Sequence, residues 1–573
     1  MPEPKRNALV RTMPILDWLP HYKRSWLRPD LLAGLSVWAL VIPQALGYAE
    51  VVGVPPQYGL YTVLGASVLY AVFASTRQVV TGPSASVAAV TAPVAALYVA
   101  STSPDYLTTV IALTVCVGVV YVLLGVLRMG WVSNFLAKAV LEGFIFAVGF
   151  GLIVDQLPKI LGIPKAEGSY WDVLVGVALD LRLTNAATLA VGGAAVGILL
   201  LMRFTVPKLP RAFLVVVLGI LAVSWLDLTA RGVVVVGEVP EGLPNIALPT
   251  GFSVSEWLSM AVGALAIILV SYSESIATAT DVAARHRQEF APDQELIAQG
   301  AAWIGSGLVG GFAGCGSLSK TAVAEGSGQK TQLAGLTVAG LTLLTLLFLA
   351  GLFSNLPQAV LGAVVIDAAI GLIHPKVAAR IFKTHKADFF AFAGTAIGLF
   401  FVGVVTGIVL GILVSLTLLV WRASKSPLRR MAFDAVHQVY VEADPDLEAT
   451  APDGVLVVKL NGPLFFADAA PFRSDLLELV SATDATTVVL NLEATPEIDL
   501  DGADILTKVH GQLADRGVRI LLAHADAAEL DLLRRAGTLH VIGETNSFET
   551  VRAAVAAATQ DEPPRPEVGD SSA

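Results

Sequence analysis

The sequence is poor in cysteine and in charged residues. It has two cysteines in 573 residues, Cys116 and Cys315, and both lie in apolar stretches without CxxC spacing. This pattern excludes a disulfide-stapled fold and a cysteine-ligated metal cluster. Charged residues make up 15% of the chain and hydrophobic residues 55%, whereas an ordinary soluble domain carries about 25% charge. The composition argues against a soluble enzyme, and the net charge of −10 argues against a nucleic-acid partner.

The charge that is present is distributed unevenly. Residues 431–573 hold 25 acidic and 9 basic residues, whereas residues 1–430 hold 22 acidic and 28 basic residues. Long apolar runs fill the first part, and short apolar runs alternate with charge in the second. The pattern predicts a cytoplasmic N-terminal segment (1–30), a transmembrane domain (31–425), a cytoplasmic domain (431–558) and a polar, Pro-rich disordered tail (559–573). We expect no cleavable signal peptide, because the first 30 residues lack a short apolar core.

Long apolar runs predict the membrane spans, since a bilayer core of about 30 Å needs about 20 residues of helix. The runs are 31–49, 58–74, 106–127, 133–153, 184–204, 211–229, 257–279, 296–313, 333–354, 357–373, 387–404 and 405–421. Two further segments, 83–100 and 316–331, are too short or too polar to span and begin in small-residue clusters, so we expect half-helices there. The prediction is fourteen segments as two inverted repeats of seven, with the half-helices third and tenth.

Basic residues predict the orientation of these segments. With a cytoplasmic N-terminus, most lysines and arginines of residues 1–430 fall in cytoplasmic loops, as the positive-inside rule requires. The exceptions placed outside are Lys159, Lys165, Arg182 and Arg231. We therefore expect a multi-pass protein of the cell membrane with both termini in the cytoplasm.

The starts of the two half-helices predict an anion site. A helix N-terminus at the bilayer midplane offers free N–H groups and a partial positive charge, and two facing ends favour an anion. Ser84, Ser86, Ser317 and Ser319 add hydroxyl donors, and Lys320 adds a full charge. The alternative is that Lys320 pairs with a carboxylate and never meets the substrate.

Glu274 is a carboxylate deep in an apolar segment, a position that by default marks a functional site. Desolvation favours its protonated form and a nearby Lys320 favours its charged form, an opposition that would couple proton binding to anion binding. The alternative is a permanent Glu274–Lys320 ion pair between two helices. Thr278 shares the face of Glu274 one turn later and either helps to bind Na⁺ or is a packed hydroxyl.

Gln44 and Tyr48 share one face of the first span. A buried glutamine needs hydrogen-bond partners, which here are either a polar substrate or a neighbouring helix. The GxGxxG match at 305–310 lies in an apolar helix with no strand before it, so it does not indicate a dinucleotide fold. The sequence offers no nucleophile–base set and no metal-ligand spacing. We expect neither an enzyme nor a bound cofactor or metal, apart from a coupling ion.

Several short motifs together resemble the sulfate permease family, which includes the animal anion exchangers and prestin. They are residues 30–35, 43–44, 55–61, 81–84, 274–275, 294–296, 317–321 and 328–331, and the resemblance extends from about residue 14 to 555. It implies a seven-plus-seven inverted-repeat membrane domain divided into core and gate, a cytoplasmic STAS domain and a homodimer. It also implies transport by an elevator-like movement of the core.

The resemblance also implies which residues form the site. The anion-binding positions are Gln44, Tyr48, Ser84, Ser317, Leu318, Ser319 and Lys320. The family usually has arginine at the position of Lys320, so here the charge is kept and the planar bidentate fork is lost. Glu274 matches an acidic position that resembles a proton-linked site in bacterial members.

Residues after 431 predict a small α/β domain, in agreement with STAS. Strand patterns at 455–460, 487–492 and 519–523 alternate with helix patterns at 503–513 and 527–535. In related anti-sigma-antagonist domains, the loop before one helix carries an Asp-Ser-Ser-Gly phosphosite. Here residues 499–502 read Asp-Leu-Asp-Gly, so we expect that phosphorylation switch to be absent.

These observations predict a secondary active transporter that takes up sulfate with H⁺ by symport. The alternatives are Na⁺-coupled bicarbonate transport, H⁺-coupled C4-dicarboxylate transport, and a non-transporting anion sensor that signals through STAS. The expected partners are a small inorganic or dicarboxylate anion, the lipid bilayer, a second copy of the chain and a cytoplasmic protein bound by the STAS domain.

Overall fold

The computed structural model describes residues 12–131, 138–206, 209–239, 242–404, 428–434, 439–443 and 452–560, with isolated positions between 406 and 437. The chain divides into two compact units, Met1–Ser415 and Leu416–Ala573. Most of the predicted span 405–421, and residues 561–573 of the predicted tail, lie outside the described residues.

The first unit is built from helices. After a single turn at Ile15–Trp18 they are α1 Arg24–Val52, α2 Gln57–Phe73, α3 Ala85–Ala96, α4 Tyr106–Val126, α5 Lys138–Leu161, α6 Tyr170–Asp180, α7 Ala186–Thr205, α8 Arg211–Leu226, α9 Val254–His286, α10 Pro292–Leu308, α11 Leu318–Gly326, α12 Leu333–Phe348, α13 Gln358–Ile370, α14 Pro375–Thr384 and α15 Lys386–Val402. Six stretches of the described chain are long and apolar enough to cross a membrane, and shorter apolar helices accompany them.

The half-helices lie where the sequence predicts them. α3 has 12 residues and α11 has 9, so at a rise of 1.5 Å per residue they are about 18 Å and about 14 Å long. Each is close to half of the hydrocarbon core of a bilayer, which is about 30 Å thick. A helix of this length ends at membrane depth, where its terminal backbone groups require partners from protein or from a polar ligand.

In the first unit, the helices α6 and α14 lie outside the predicted spans. α6 begins at a capping box in which Ser169 and Asp172 satisfy each other's backbone amides. α14 begins with Pro375 at its first position, and its polar face carries the basic residues of the loop. Long apolar runs do not reveal such helices, because α6 buries only Val173 and Val177 and α14 has no buried residue.

Short extended segments lead into both half-helices and pair with each other. β1 (Thr81–Gly82) runs antiparallel to β2 (Cys315–Gly316), with Thr81 opposite Gly316 and Gly82 opposite Cys315. Gly314, just before β2, allows the close crossing, because a Cβ atom there would lie 2.1 Å from the Gly82 carbonyl oxygen. The pairing joins two parts of the chain that are more than 230 residues apart.

The second unit is a six-stranded sheet covered by helices. Its strands are β3 Leu428–Asp434, β4 Val439–Glu442, β5 Val455–Leu460, β6 Thr487–Asn491, β7 Arg519–Ala523 and β8 Ser547–Phe548, in the order β4-β3-β5-β6-β7-β8. The helices are α16 Ala469–Ser481, α17 Leu500–Ala514, α18 Ala527–Arg535, α19 Thr538–Ile542 and α20 Val551–Gln560. β5 to β8 are parallel, and β3 is antiparallel to both of its neighbours.

Each face of this sheet carries its own apolar core. Val458 and Leu490 pack on the side of α16 and α17, whereas Val457 and Val489 pack on the side of α20. The strand patterns read from the sequence agree with β5, β6 and β7. α17 begins three residues before the predicted start, because the Asp499 side chain accepts the Gly502 amide at 2.8 Å and caps the helix there.

Candidate functional site

The two half-helices begin side by side. Ser84 is the N-cap residue of α3 and Ser317 is that of α11. The Ser317 amide donates to the Val80 carbonyl at 2.9 Å, and the Val80 amide donates to Thr321 Oγ1 at 3.0 Å. These bonds extend the β1–β2 pairing and hold both helix N-termini at one place.

Both N-termini keep polar donors that the helices themselves do not use. Ser84 does not cap its own helix, and its Oγ lies 2.9 Å from Ser86 Oγ. Ser317 Oγ accepts the Lys320 amide at 3.5 Å and lies 3.1 Å from Ser319 Oγ. The first-turn amides of a helix precede its first internal hydrogen bond. The pair of ends therefore presents amides, hydroxyls and the positive ends of two helix dipoles to one location.

Lys320 joins the two half-helices. Its side chain is 1% exposed. Its Nζ donates to the carbonyl oxygen of Pro83, at the entry to α3. A Cβ atom on Gly82 would lie 3.9 Å from the same Nζ. The ammonium therefore lies between the two helix ends, where it adds a full positive charge to their partial charges.

Glu274 in α9 lies beside this pair of helix ends. Its Oε2 accepts a hydrogen bond from Cys315 Sγ at 3.0 Å. Its Oε1 is buried and has no hydrogen-bond partner among the described residues. The carboxyl group is close to the hydroxyls of Ser84 and Ser86 and lies in the field of Lys320. Within the described chain, Glu274 and Lys320 have separate partners, so they do not form the ion pair of the alternative hypothesis.

Thr278 has a partner of its own. Its Oγ1 donates to the Gly316 carbonyl at 3.4 Å, and the residue is 3% exposed. Ser271 and Ser275, on the same face of α9, bind the same segment: Ser271 Oγ donates to the Gly314 carbonyl at 2.5 Å, and Ser275 Oγ accepts the Gly316 amide at 2.8 Å. Sequence reasoning missed these two serines, although their helical spacing with Thr278 was a signal. The geometry favours Thr278 as a packed hydroxyl.

Gln44 and Tyr48 bring α1 to the site. Tyr48 is 4% exposed and packs in the same apolar cluster as Ala85 and Ala88 of α3. Gln44, one turn earlier, is half-buried, and its side chain has no hydrogen-bond partner among the described residues. At the start of α11, Leu318 and Ser319 are exposed. The structure thus places Tyr48 beside α3, with Gln44 one turn earlier on α1 and with Leu318 and Ser319 at the exposed start of α11.

Glu295, which sequence reasoning did not assign to the site, anchors β1. It is fully buried and accepts hydrogen bonds from Tyr70 Oη at 2.8 Å, Ser75 Oγ at 2.5 Å and Gln299 Nε2 at 3.0 Å. Gln299 Oε1 in turn accepts from Thr81 Oγ1 at 3.0 Å. Four donors satisfy the buried carboxylate of Glu295 and the amide oxygen of Gln299. This series of hydrogen bonds fixes β1 and with it the start of α3.

Comparison with known proteins gives matches to both units. The model of the sulfate permease family matches residues 27–395, and the model of the STAS domain matches residues 446–554. A probable sulfate transporter of Mycobacterium tuberculosis is 30% identical over 557 residues, which cover 96% of this chain and 99% of that protein.

Two solved structures share the fold. Murine solute carrier 26 family member A9, an anion transporter in the inward-facing state, is 22% identical with a TM-score of 0.88 and covers 98% of this chain and 97% of its own. The transmembrane domain of a cyanobacterial bicarbonate transporter is 22% identical with a TM-score of 0.59 and covers 69% and 98%. The predicted fold, a helical membrane domain followed by a STAS domain, is confirmed. The count of fourteen segments in inverted repeats stays a prediction.

Proposed function

The chain belongs to the sulfate permease family and carries a C-terminal STAS domain, and from this premise we propose that it is a secondary transporter that takes up sulfate together with protons. One observation carries the proposal: the ammonium of Lys320 lies between the N-termini of two half-helices. The relatives that match along nearly the whole chain are named as sulfate transporters, which supports the same substrate.

The charge at the site suits a dianion. Each helix N-terminus behaves as about half of a positive charge, and Lys320 adds a whole one. Together they approach two positive charges, which matches sulfate. The hydroxyls of Ser84 and Ser317 and the unused amides of the first turns supply directional donors. A tetrahedral oxyanion accepts several such hydrogen bonds at once, and charge-assisted bonds are the strong ones.

Glu274 supports coupling to protons. When its carboxyl is ionised, its negative charge opposes the positive charge of Lys320 and weakens the attraction for an anion. When it is protonated, this opposition disappears, and the buried Oε1, which has no partner among the described residues, is the oxygen that would carry the proton. Protonation and anion binding therefore favour each other, and such coupling is reciprocal. Thr278 donates its hydroxyl to the Gly316 carbonyl, so Glu274 is the group to which we assign the coupling ion, a proton.

The connections within the site support movement as one body. Lys320 links α11 to the entry of α3, and the hydroxyls of α9 hold the segment around β2. We propose that these elements form the core of an elevator-like transporter in the cell membrane, with both termini in the cytoplasm. A homodimer and a protein partner of the STAS domain remain predictions.

Uptake into proteoliposomes tests the proposal. Labelled sulfate, bicarbonate and fumarate are offered in parallel, each with an inward proton gradient, an inward Na⁺ gradient or neither. The proposal requires sulfate uptake that is driven by protons alone. Uptake of bicarbonate that requires Na⁺ would replace the substrate and the coupling ion. Binding of sulfate without flux of any anion would favour the sensor.

A further inference from the structure

Two arginines share one carboxylate outside the site described above. Asp367 in α13 accepts from Arg211 Nε at 3.0 Å through Oδ2, and from Arg203 Nη1 at 3.5 Å through Oδ1. Arg203 Nη1 also donates to the Asp367 carbonyl at 3.2 Å. The cluster of Arg203, Arg211 and Asp367, called here the arginine pair, carries one net positive charge.

The arginine pair lies next to the helix that carries Tyr48. α1 and α13 pack closely, because a Cβ atom on Gly47 would lie 2.8 Å from Val365 Cγ2. Phe213, in the same first turn of α8 as Arg211, lies against Trp38 of α1, with ring centroids 5.5 Å apart. Two of the helices that hold the pair, α8 and α13, therefore pack against the helix that carries Tyr48.

The position of the pair along α13 places it on the cytoplasmic side of Tyr48. A Cβ atom on Gly362 of α13 would lie 3.5 Å from the Cβ atom of Lys159, and Lys159 is predicted to lie at the outer end of α5. α13 runs from there towards Asp367. Arg203 ends α7 and Arg211 begins α8, so both belong to a connection that is predicted to be cytoplasmic.

We propose that Arg203 and Arg211 form a second, weaker anion site, which holds a divalent oxyanion such as sulfate on its way between Tyr48 and the cytoplasm. This inference rests on the proposed function. A guanidinium group has five N–H donors in a fork that fits an oxyanion. The bonds to Asp367 use one nitrogen of each arginine, and the two side chains are 26% and 23% exposed. Each guanidinium group therefore keeps N–H donors that these bonds do not use.

Asp367 gives this site its low affinity. The carboxylate neutralises one of the two guanidinium charges, so an arriving dianion meets a net charge of +1 instead of +2. A site on a permeation path has to bind well enough to be entered and weakly enough to be left. The competing explanation is that the three residues only fasten α7, α8 and α13 together. The two explanations predict different signs for the effect of removing Asp367.

Uptake into inside-out membrane vesicles measures directly the KM for sulfate at the cytoplasmic face. The vesicles are loaded with unlabelled sulfate, and uptake of labelled sulfate is measured as exchange. Arg211→Gln should raise this KM about fivefold, because one charge is lost several ångströms from a dianion in partly exposed surroundings. Asp367→Asn should lower it by a similar factor. Arg380→Gln removes an exposed cation of α14 and serves as the control with unchanged KM.

A binding measurement keeps the inference testable without flux. In purified Lys320→Ala protein, scintillation proximity with labelled sulfate should detect weak residual binding that Arg211→Gln abolishes. An unaltered residual signal, or a KM raised by Arg211→Gln and Asp367→Asn alike, would overturn the second site.

If Asp367→Asn alone does not accumulate, the double variant Asp367→Asn/Arg211→Gln restores the net charge and should show a KM near that of the unmodified protein. Failure of the proposed function would show instead as wild-type vesicles that move no sulfate.

Discussion

Lys320 in the second half-helix donates its ammonium hydrogen bond to the carbonyl oxygen of Pro83, at the entry to the first. This hydrogen bond connects the two helix N-termini that form the anion site. It keeps a buried cation paired with a neutral acceptor rather than with a carboxylate. The positive charge of Lys320 is therefore not cancelled by a neighbouring anion in direct contact, and it stays available to the substrate.

Replacement of Lys320 by alanine should abolish anion uptake. Loss of a charged hydrogen-bonding group costs about 1.5–3 kcal/mol of anion binding, which corresponds to an affinity lower by roughly 10- to 150-fold. Uptake of labelled sulfate into proteoliposomes measures the loss, and gel filtration of the purified variant checks that it still folds. Lys320→Arg is the matched control and should retain uptake, since it keeps the charge. Normal uptake by Lys320→Ala would remove Lys320 from the site.

Replacement of Glu274 by glutamine should remove the proton dependence of uptake and preserve exchange. The amide keeps an acceptor for the Cys315 thiol but cannot take up a proton. Exchange of labelled against unlabelled sulfate is measured without a gradient, and net uptake is measured at several proton gradients. A proton-driven uptake identical to that of the unmodified protein would contradict the coupling role.

Thr278→Val is the control for the coupling prediction. The hydroxyl bonds only to the Gly316 carbonyl in the described chain, at 3.4 Å, so its loss should lower stability by about 1 kcal/mol and leave the ion dependence unchanged. Thermal unfolding of the purified protein and uptake in the presence and absence of Na⁺ separate these effects. Loss of a Na⁺ requirement in this variant would support the sodium alternative.

Gly314→Ala should disrupt the crossing of the two half-helix entries. The added methyl group would lie 2.1 Å from the Gly82 carbonyl oxygen, a distance that backbone atoms cannot accommodate without moving β1 from β2. We expect loss of uptake and a lower melting temperature. Gly340→Ala in α12 is the matched control, because a Cβ atom there has no neighbour within 4 Å, and it should retain both. Equal behaviour of the two variants would show that the crossing tolerates a side chain.

The sequence was sufficient to predict the half-helices and the principal charges, but not how they are connected. Small-residue clusters before α3 and α11 marked the half-helices, and Lys320 and Glu274 stood out as charges in apolar surroundings. The bond from Lys320 to Pro83 and that from Cys315 to Glu274 depend on the β1–β2 pairing, which joins distant parts of the chain. Glu295 was missed as a site anchor, because an acidic residue near the start of an apolar run equally fits a solvated helix end.

Asp468 makes the stability of the STAS domain depend on pH. It is 1% exposed and neither carboxylate oxygen has a hydrogen-bond partner among the described residues. Burial raises the pKa of this carboxyl above its usual value of 3.8. The folded state then binds the proton more tightly than the unfolded state. The stability contribution is fully present below the unfolded pKa and is lost as pH rises through the folded pKa.

Asp468→Asn should therefore stabilise the STAS domain at neutral pH and reduce its pH dependence. An unpaired buried polar group costs about 1–3 kcal/mol, and more when it is charged, so we expect a gain of about 1–2 kcal/mol at pH 7 and a smaller gain near pH 4. Hydrogen exchange of the amides in β5 and β6 of the intact protein, corrected for intrinsic rates, reports the free energy of opening at each pH. The gain should be smaller near pH 4, because a protonated aspartic acid and an asparagine are both uncharged. An equal gain at pH 7 and near pH 4 would show that the Asp468 carboxyl is not the group that titrates.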